Sequence, residues 1–214
     1  MNIKHLLSSV ALAATTLACG SAFAAGNVAL GKTTTASSTY ESPGGESFLR
    51  FTAGEATDGK INDDTYSAAN SGIWLAAQGG IAGEWVQVDL GASYLINSIT
   101  LYDTSNRQYD DRGTNEFTLS VSSDGSSFSE IASGAFTNDQ WLYQTALTLG
   151  SLTATGRYVR FDVVSGYGGS GAGLAEIQVY GTAAPVPEPE TYAMMLAGLG
   201  LMGAIARRRK SKAA

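Results

Sequence analysis

Apolar and polar residues alternate with a period of two through much of the middle of the chain. Phe117, Leu119 and Val121 alternate with Thr118, Ser120 and Ser122. Val159, Phe161 and Val163 alternate with Arg160 and Asp162, and Val86, Val88 and Leu90 with Gln87 and Asp89. Successive side chains of a strand point to opposite faces, so each run predicts a strand with one face in a core. Ile99 and Leu101 mark another strand, and Ile177 and Val179 a last one. Asp124-Gly125 predicts a tight turn after the strand that starts at Phe117. No stretch of this region has sustained helical spacing, and no internal repeat is visible. Many short strands with glycine-rich connections predict an all-β domain, a two-sheet sandwich or jelly roll.

The two ends carry a different pattern. Residues 1–24 read as a secretory signal helix. Lys4 and His5 form a short basic start, and Leu6 to Ala18 is an apolar run broken only by Ser and Thr. Ala22 and Ala24 place small residues at the −3 and −1 positions, so cleavage is expected after Ala24. At the other end, Val186-Pro187-Glu188-Pro189 leads into the uncharged stretch 192–206, and Arg207, Arg208, Arg209 and Lys210 follow at once. An apolar helix ending in a basic cluster reads as a membrane stop with a cytoplasmic tail. Its fifteen residues rise roughly 22 Å, short of the ~30 Å hydrocarbon core. The chain thus divides into a signal peptide at 1–24, a β domain at 25–183 and a sorting segment at 184–214.

Composition narrows the chemistry. The only histidine, His5, and the only cysteine, Cys19, both lie in the segment expected to be removed. The remaining domain then has no imidazole and no thiol. That excludes Ser-His-Asp and Cys-His catalysis, zinc sites built on Cys or His, and a disulfide framework. Residues 26–183 hold seven basic against seventeen acidic residues, a net charge of −10. The tail after 206 carries +5. An acidic domain argues against nucleic acid as a partner. The pairs Asp63-Asp64 and Asp110-Asp111 are no catalytic dyads, because neighbours along a strand face opposite ways. Gly166 to Gly171 is glycine-rich but does not introduce a helix after a buried strand, so it is no phosphate loop. No enzymatic activity is expected.

The order Val-Pro-Glu-Pro, short apolar helix, arginine-rich terminus resembles the PEP-CTERM sorting signal over residues 186–210. The resemblance implies transient membrane insertion and processing by an exosortase near Pro187, Glu188 and Pro189, at the surface of a Gram-negative bacterium that makes exopolysaccharide. An ordinary single-span anchor is the other reading. Between the ends, six landmarks stand in order. They are Asn27 to Lys32 with Ala36-Ser37-Ser38, Ala56-Thr57-Asp58-Gly59 with Trp74, Glu84 to Gly91, Asn115 to Gly125, Arg157 to Phe161 and Leu174 to Gly181. Together they resemble the discoidin, or coagulation factor 5/8 type C, family, whose bacterial members include galactose-binding-like carbohydrate-binding modules. That resemblance implies an eight-stranded jelly-roll β-sandwich with ligand loops at one end.

Sugar sites combine an aromatic face with planar hydrogen-bonding groups that bridge adjacent hydroxyls, and charge strengthens each bond. The stretch 102–115 offers Asn106, Arg107, Tyr109 and Arg112. Arg112, just before the Asn115-Glu116-Phe117 strand, matches the family position best. Tyr167, in the glycine-rich segment, is the aromatic expected to be most exposed. Trp85 and Trp74 read as core, while Trp141 and Tyr143 are open between core and ligand. The domain has no histidine, which many family lectins use, so the sugar is not named.

The family also implies a structural Ca²⁺, a hard ion that takes 6–8 oxygens. Its parts here are the carboxylates of Asp58 and Glu176 and carbonyls of Glu55, Lys60 and Ala175. Asp63 or Thr65 supplies the rest, from a loop about two residues longer than usual. The other reading is a salt-bridged or solvated acidic loop. Two functions follow from the whole. The first is an exported, non-catalytic carbohydrate-binding module that meets a polysaccharide or glycan. The second is a matrix or adhesion protein whose β domain binds protein or no small ligand.

Overall fold

The computed structural model describes residues 26–41, 51–61, 72–104, 112–137, 146–168, 171–185 and 193–203. The signal segment, the Pro187-Glu188-Pro189 motif, Trp141 and Tyr143 lie outside them.

Among the described residues nine strands form in chain order: β1 (Thr33–Ala36), β2 (Trp74–Leu75), β3 (Trp85–Tyr102), β4 (Glu116–Ser122), β5 (Ser129–Ala135), β6 (Ala146–Leu149), β7 (Ala154–Val163), β8 (Gly173–Leu174) and β9 (Glu176–Ala183). A 3-10 helix covers Ala53–Thr57. The alternating runs take the faces their pattern demands. Phe117, Leu119, Val159, Phe161, Val163, Ile177 and Val179 are buried together with Val86, Val88 and Leu90. Phe117 and Phe161 stack with ring centroids 5.1 Å apart.

β3 organises the sandwich. The alternation suggested two strands, 86–90 and 99–101, but they are one element of 18 residues. Its first part pairs with β1 and β7, its second with β9 and β6, and β7 continues alongside it as far as Ile96. The register shifts between Asp89 and Tyr94, where Gly91 takes φ +82°, a value easy only for glycine. A second shift between Ile96 and Ser98 moves the buried positions from even numbers (Val86, Val88, Leu90, Ile96) to odd ones (Ile99, Leu101). β3 therefore descends in one sheet, crosses at the bend and returns in the other. At the far end from that bend Tyr102 pairs with Glu176, and Arg112 bridges Gly171.

The bend end closes on itself. Arg157 donates from Nε and Nη2 to the two oxygens of Asp89, each at 2.7 Å. Asp124 Oδ1 accepts the N–H groups of Ser126 and Ser127, each at 2.8 Å, which sets the β4–β5 turn. The Ala184 N–H donates to the Ser93 carbonyl at 2.9 Å, so the chain leaves the domain at this end.

Trp74 is fully buried and donates from Nε1 to the Ser38 carbonyl at 3.0 Å. Trp85 departs from the core expectation. Val86 takes the inward position, so Trp85 faces outward and is half-buried, with the Arg160 guanidinium 5.8 Å from its ring centre. A helix runs over 193–203, and its Met194, Met195, Leu196, Leu199, Leu201 and Met202 are all exposed. Among the described residues no helix is long and apolar enough to cross a membrane.

Candidate functional site

Two groups of side chains meet at the loop end. The first surrounds Glu176. Its neighbours Ile177 and Val179 enter the core, so alternation turns Glu176 to the other face of β9. There it is fully buried, with Gly59, just past the 3-10 helix, against it. Glu176 Oε2 accepts the Gly59 N–H at 3.3 Å, while Oε1 is buried without a hydrogen-bond partner. Desolvation, helped by the nearby Asp58 charge, pushes this carboxyl up to about 8 against the opposing Gly59 N–H. Without a compensating cation it is mostly protonated at neutral pH.

Glu55 and Asp58 turn their carboxylates onto Gly72. A Cβ at that glycine would collide with Glu55 and lie 3.1 Å from Asp58 Oδ2. The Lys60 side chain pairs with Asp58, its Nζ 3.1 Å from Oδ2. Its ammonium stands where a cation would pair with that carboxylate. Ala175 is buried and donates its N–H to the Tyr102 carbonyl at 2.8 Å. Among the described residues no three acidic, His or Cys side chains converge as a complete metal-ligand group. Asp63 and Thr65 lie outside the described residues. The chemistry still fits a hard cation: the donors are oxygens, one buried carboxylate oxygen is unpartnered, and a glycine keeps the approach clear.

The second group is built on Arg112. The Arg112 backbone bridges Gly171, and the next residues are tied on both sides. Gly113 N–H donates to the Gly171 carbonyl at 3.2 Å, and Thr114 Oγ1 donates to the Gly173 carbonyl at 2.8 Å. Asp103 Oδ1 accepts the N–H groups of Thr104 and Thr114 at 2.8 and 3.2 Å. Gly113 has φ +122°, and a Cβ there would sit 3.1 Å from Thr104 Oγ1. So held, Arg112 is half-buried with its Cζ 5.5 Å from the centre of the Tyr40 ring. Tyr40 meets Phe51 edge-on at 5.3 Å.

Of the residues expected to touch sugar, Arg112 is placed at the loop end. Asn106, Arg107 and Tyr109 lie outside the described residues. Tyr167 is not the exposed platform expected. It is half-buried against the main core, and its hydroxyl donates to the Phe136 carbonyl, which ties the loop to the end of β5. Tyr40 was not foreseen. It lies 72 positions from Arg112, beyond any local pattern, and only the folded chain pairs them.

Comparisons with known proteins agree with this architecture. The F5/8 type C domain family matches residues 33–177, and the PEP-CTERM protein-sorting motif matches 185–210. A Clostridium perfringens CBM32 module, solved in complex with GalNAc-β-1,3-galactose, is 26% identical with a TM-score of 0.54. That match covers 70% of this chain and 95% of the module. Chitosan-binding module 1 of a chitosanase/glucanase from Paenibacillus sp. IK-5 is 26% identical, covering 72% and 98%, with a TM-score of 0.52. The family 32 module of C. perfringens NanJ, in complex with galactose, shares the fold at 17% identity, covering 73% and 98%, with a TM-score of 0.56. No curated protein matches the chain significantly.

Proposed function

The chain belongs to the F5/8 type C domain family and carries a PEP-CTERM sorting motif, and on that premise we propose that it is an exported, non-catalytic module that holds a polysaccharide at its loop end. The observation that carries this reading is the Arg112 guanidinium, fixed over Tyr40 beside the Gly171–Glu176 segment. A guanidinium presents up to five donors in one plane, suited to pairs of neighbouring hydroxyls or ring oxygens. Asn106, Arg107 and Tyr109 are the further contacts in this reading, and Tyr167 holds the rim in place. The domain charge of −10 favours neutral or amino-bearing glycans over uronate polymers, which it repels. The two relatives at 26% identity, one bound to GalNAc-β-1,3-galactose and one chitosan-binding, support ligands of that kind.

The geometry also supports display. β9 runs from Glu176 at the loop end to Ala183 at the bend, roughly 24 Å at the usual strand rise. The sorting segment leaves from the bend, so the rim points away from the point of attachment. Exosortase processing near Pro187-Glu188-Pro189 then leaves the domain at the surface or in the extracellular polysaccharide. Intact-mass measurement of the extracellular form should find no 192–214 segment, and a full tail on that form would refute the processing.

The Glu176 pocket is read as a structural Ca²⁺ site, with Asp58, Glu176 and carbonyls of Glu55, Lys60 and Ala175 as donors and Asp63 or Thr65 completing the set. Bound there, the ion would clamp loops through charge neutralisation. The chain's own part is to bury the carboxylates and keep water out. A glycan array of galactose-, N-acetylgalactosamine- and glucosamine-terminated oligosaccharides tests the main reading. Binding that weakens with salt for amino glycans, and is absent for uronates, is the expected result. No binding to any of these would overturn it.

A further inference from the structure

We infer that the outer face of the β1–β3–β7–β4–β5 sheet is a second glycan-contact surface, where a neutral polysaccharide chain lies across the strands over Trp85, Gln87 and Arg160. The inference does not rest on the loop-end reading, because this face shares no residue with the Arg112 group. Strand register builds the surface. Thr35 pairs with Gln87, Gln87 with Arg160, Arg160 with Ser120 and Ser120 with Glu130, so one polar row crosses five strands. At the usual spacing between strands that row is about 19 Å long. The flanking Val86, Val88, Val159, Phe161 and Leu119 are buried in the core, so alternation turns the row to the opposite face.

Charge, rings and planar groups on this face all suit a neutral glycan. In a domain of net charge −10, the charges here pair off locally. Arg157 holds both oxygens of Asp89, and Arg160 Nε lies 2.9 Å from Asp162 Oδ1, which leaves Glu130 at the β5 edge. Two large rings stand on the same polar face. Trp85, opposite Asp162 in the register, is half-buried, and so is Phe128. The Arg160 guanidinium lies 4.2 Å from the Phe128 ring centre and 5.8 Å from that of Trp85. The indole offers an apolar surface for the apolar side of a sugar ring, and its N–H offers a donor. Beside it, the half-buried Gln87 amide makes no hydrogen bond among the described residues. An amide carries two donors and an acceptor in one plane, a match for neighbouring hydroxyls. On the β1 side, Thr33 and Thr35 are exposed, and their short side chains keep the approach to Gln87 low. Taken with the loop-end reading, the face gives one domain two places to hold polysaccharide.

The test uses the full chain with two neutral probes, cellohexaose and the chitin hexasaccharide, and one acidic control, hexagalacturonate. Indole N–H signals are followed by NMR during each titration, the Trp85 signal being the one lost in Trp85→Phe. That signal should shift with the neutral probes and stay in place with hexagalacturonate, in wild type and in Arg112→Ala alike. Calorimetry in the Arg112→Ala background, where the loop end contributes least, should show the neutral probes bound about fivefold or more weakly once Trp85→Ala is added. Adding Gln87→Ala instead should weaken them about two- to tenfold. No Trp85 shift in wild type with either neutral probe overturns the inference, even where a variant fails to fold. A shift that vanishes in Arg112→Ala overturns it too, because the ligand would then sit at the loop end alone. Undiminished binding after both added substitutions, or an equal shift with hexagalacturonate, removes the assignment of this face to neutral glycan.

Discussion

At the bend end of the sandwich, Asp89 and Asp124 find their partners within the chain, in Arg157 and in the N–H groups of the β4–β5 turn. At the loop end, Glu176 is more deeply buried than either and keeps one oxygen without a partner. Both carboxylates of the bend end are held below the ordinary aspartate range by those hydrogen bonds, Asp124 at about 2. The Glu176 carboxyl is driven the opposite way, up to about 8. A protein gains from satisfying its own buried polar groups, so the unsatisfied end is where something from outside the chain is expected. The contrast separates an end whose carboxylates are satisfied within the chain from one whose buried carboxylate is not.

The largest effect expected lies in neither end. Phe161→Ala removes a fully buried ring stacked on Phe117 and should cost about 3–5 kcal/mol of stability. Denaturant unfolding should show the same loss with and without calcium. A loss that appears only in chelator would tie the core to the loop end and break the comparison.

Calcium comes next. Excess metal at about a hundred times its dissociation constant should stabilise the wild type by roughly 2.7 kcal/mol, seen as a rise in Tm reversed by chelator. Glu176→Gln keeps the shape, removes the buried charge and should abolish that rise, while Asp89→Asn should leave it intact. Elemental analysis that finds no metal, with a Tm indifferent to chelator, would hand the pocket to Lys60 and Asp58 as a simple ion pair.

The smallest effect sharpens the bend end. The hydrogen-bonded Arg157 holds the Asp89 pKa below its ordinary value of about 3.9, so the folded state binds this proton less readily than the unfolded state. The pair's stabilisation is therefore present above that ordinary value and is lost as pH falls through the lower, folded one. Wild type should exceed Asp89→Asn in Tm by a small margin at neutral pH, and the two should converge in strong acid. Because the pair is partly exposed, the margin should also shrink with salt.

The sandwich was legible in the sequence because its signal is local. Phe117-Leu119-Val121 and Val159-Phe161-Val163 announce their buried faces within six residues each. The union of two predicted strands into β3 was not legible. Its bulge reverses the parity between Ile96 and Ile99, so the alternation reads as two separate runs. Trp85 misled for a related reason, since a large ring beside Val86 looks like core until the pleat turns it outward. At the loop end, Arg112, Asp58 and Glu176 were singled out through their places in an ordered set of motifs. Tyr40 carried no such mark, because its role depends on a contact made by the fold. The hydrogen bond from the Gly59 N–H to Glu176 likewise joins positions 117 apart, which alternation within β9 does not report.

The claim that the loop end binds glycan is tested most directly by calorimetric titration of the best-bound array oligosaccharide into wild type, Arg112→Ala and Lys32→Ala. Both variants remove one positive charge, but Lys32 lies at the bend, with Nζ 3.7 Å from where a Cβ on Gly91 would stand. Arg112→Ala should weaken binding about tenfold or more, the loss of charge-assisted hydrogen bonds, while Lys32→Ala stays near wild type. Equal losses in the two variants would contradict the account, because the effect would then not be specific to the loop end and no site would be assigned there.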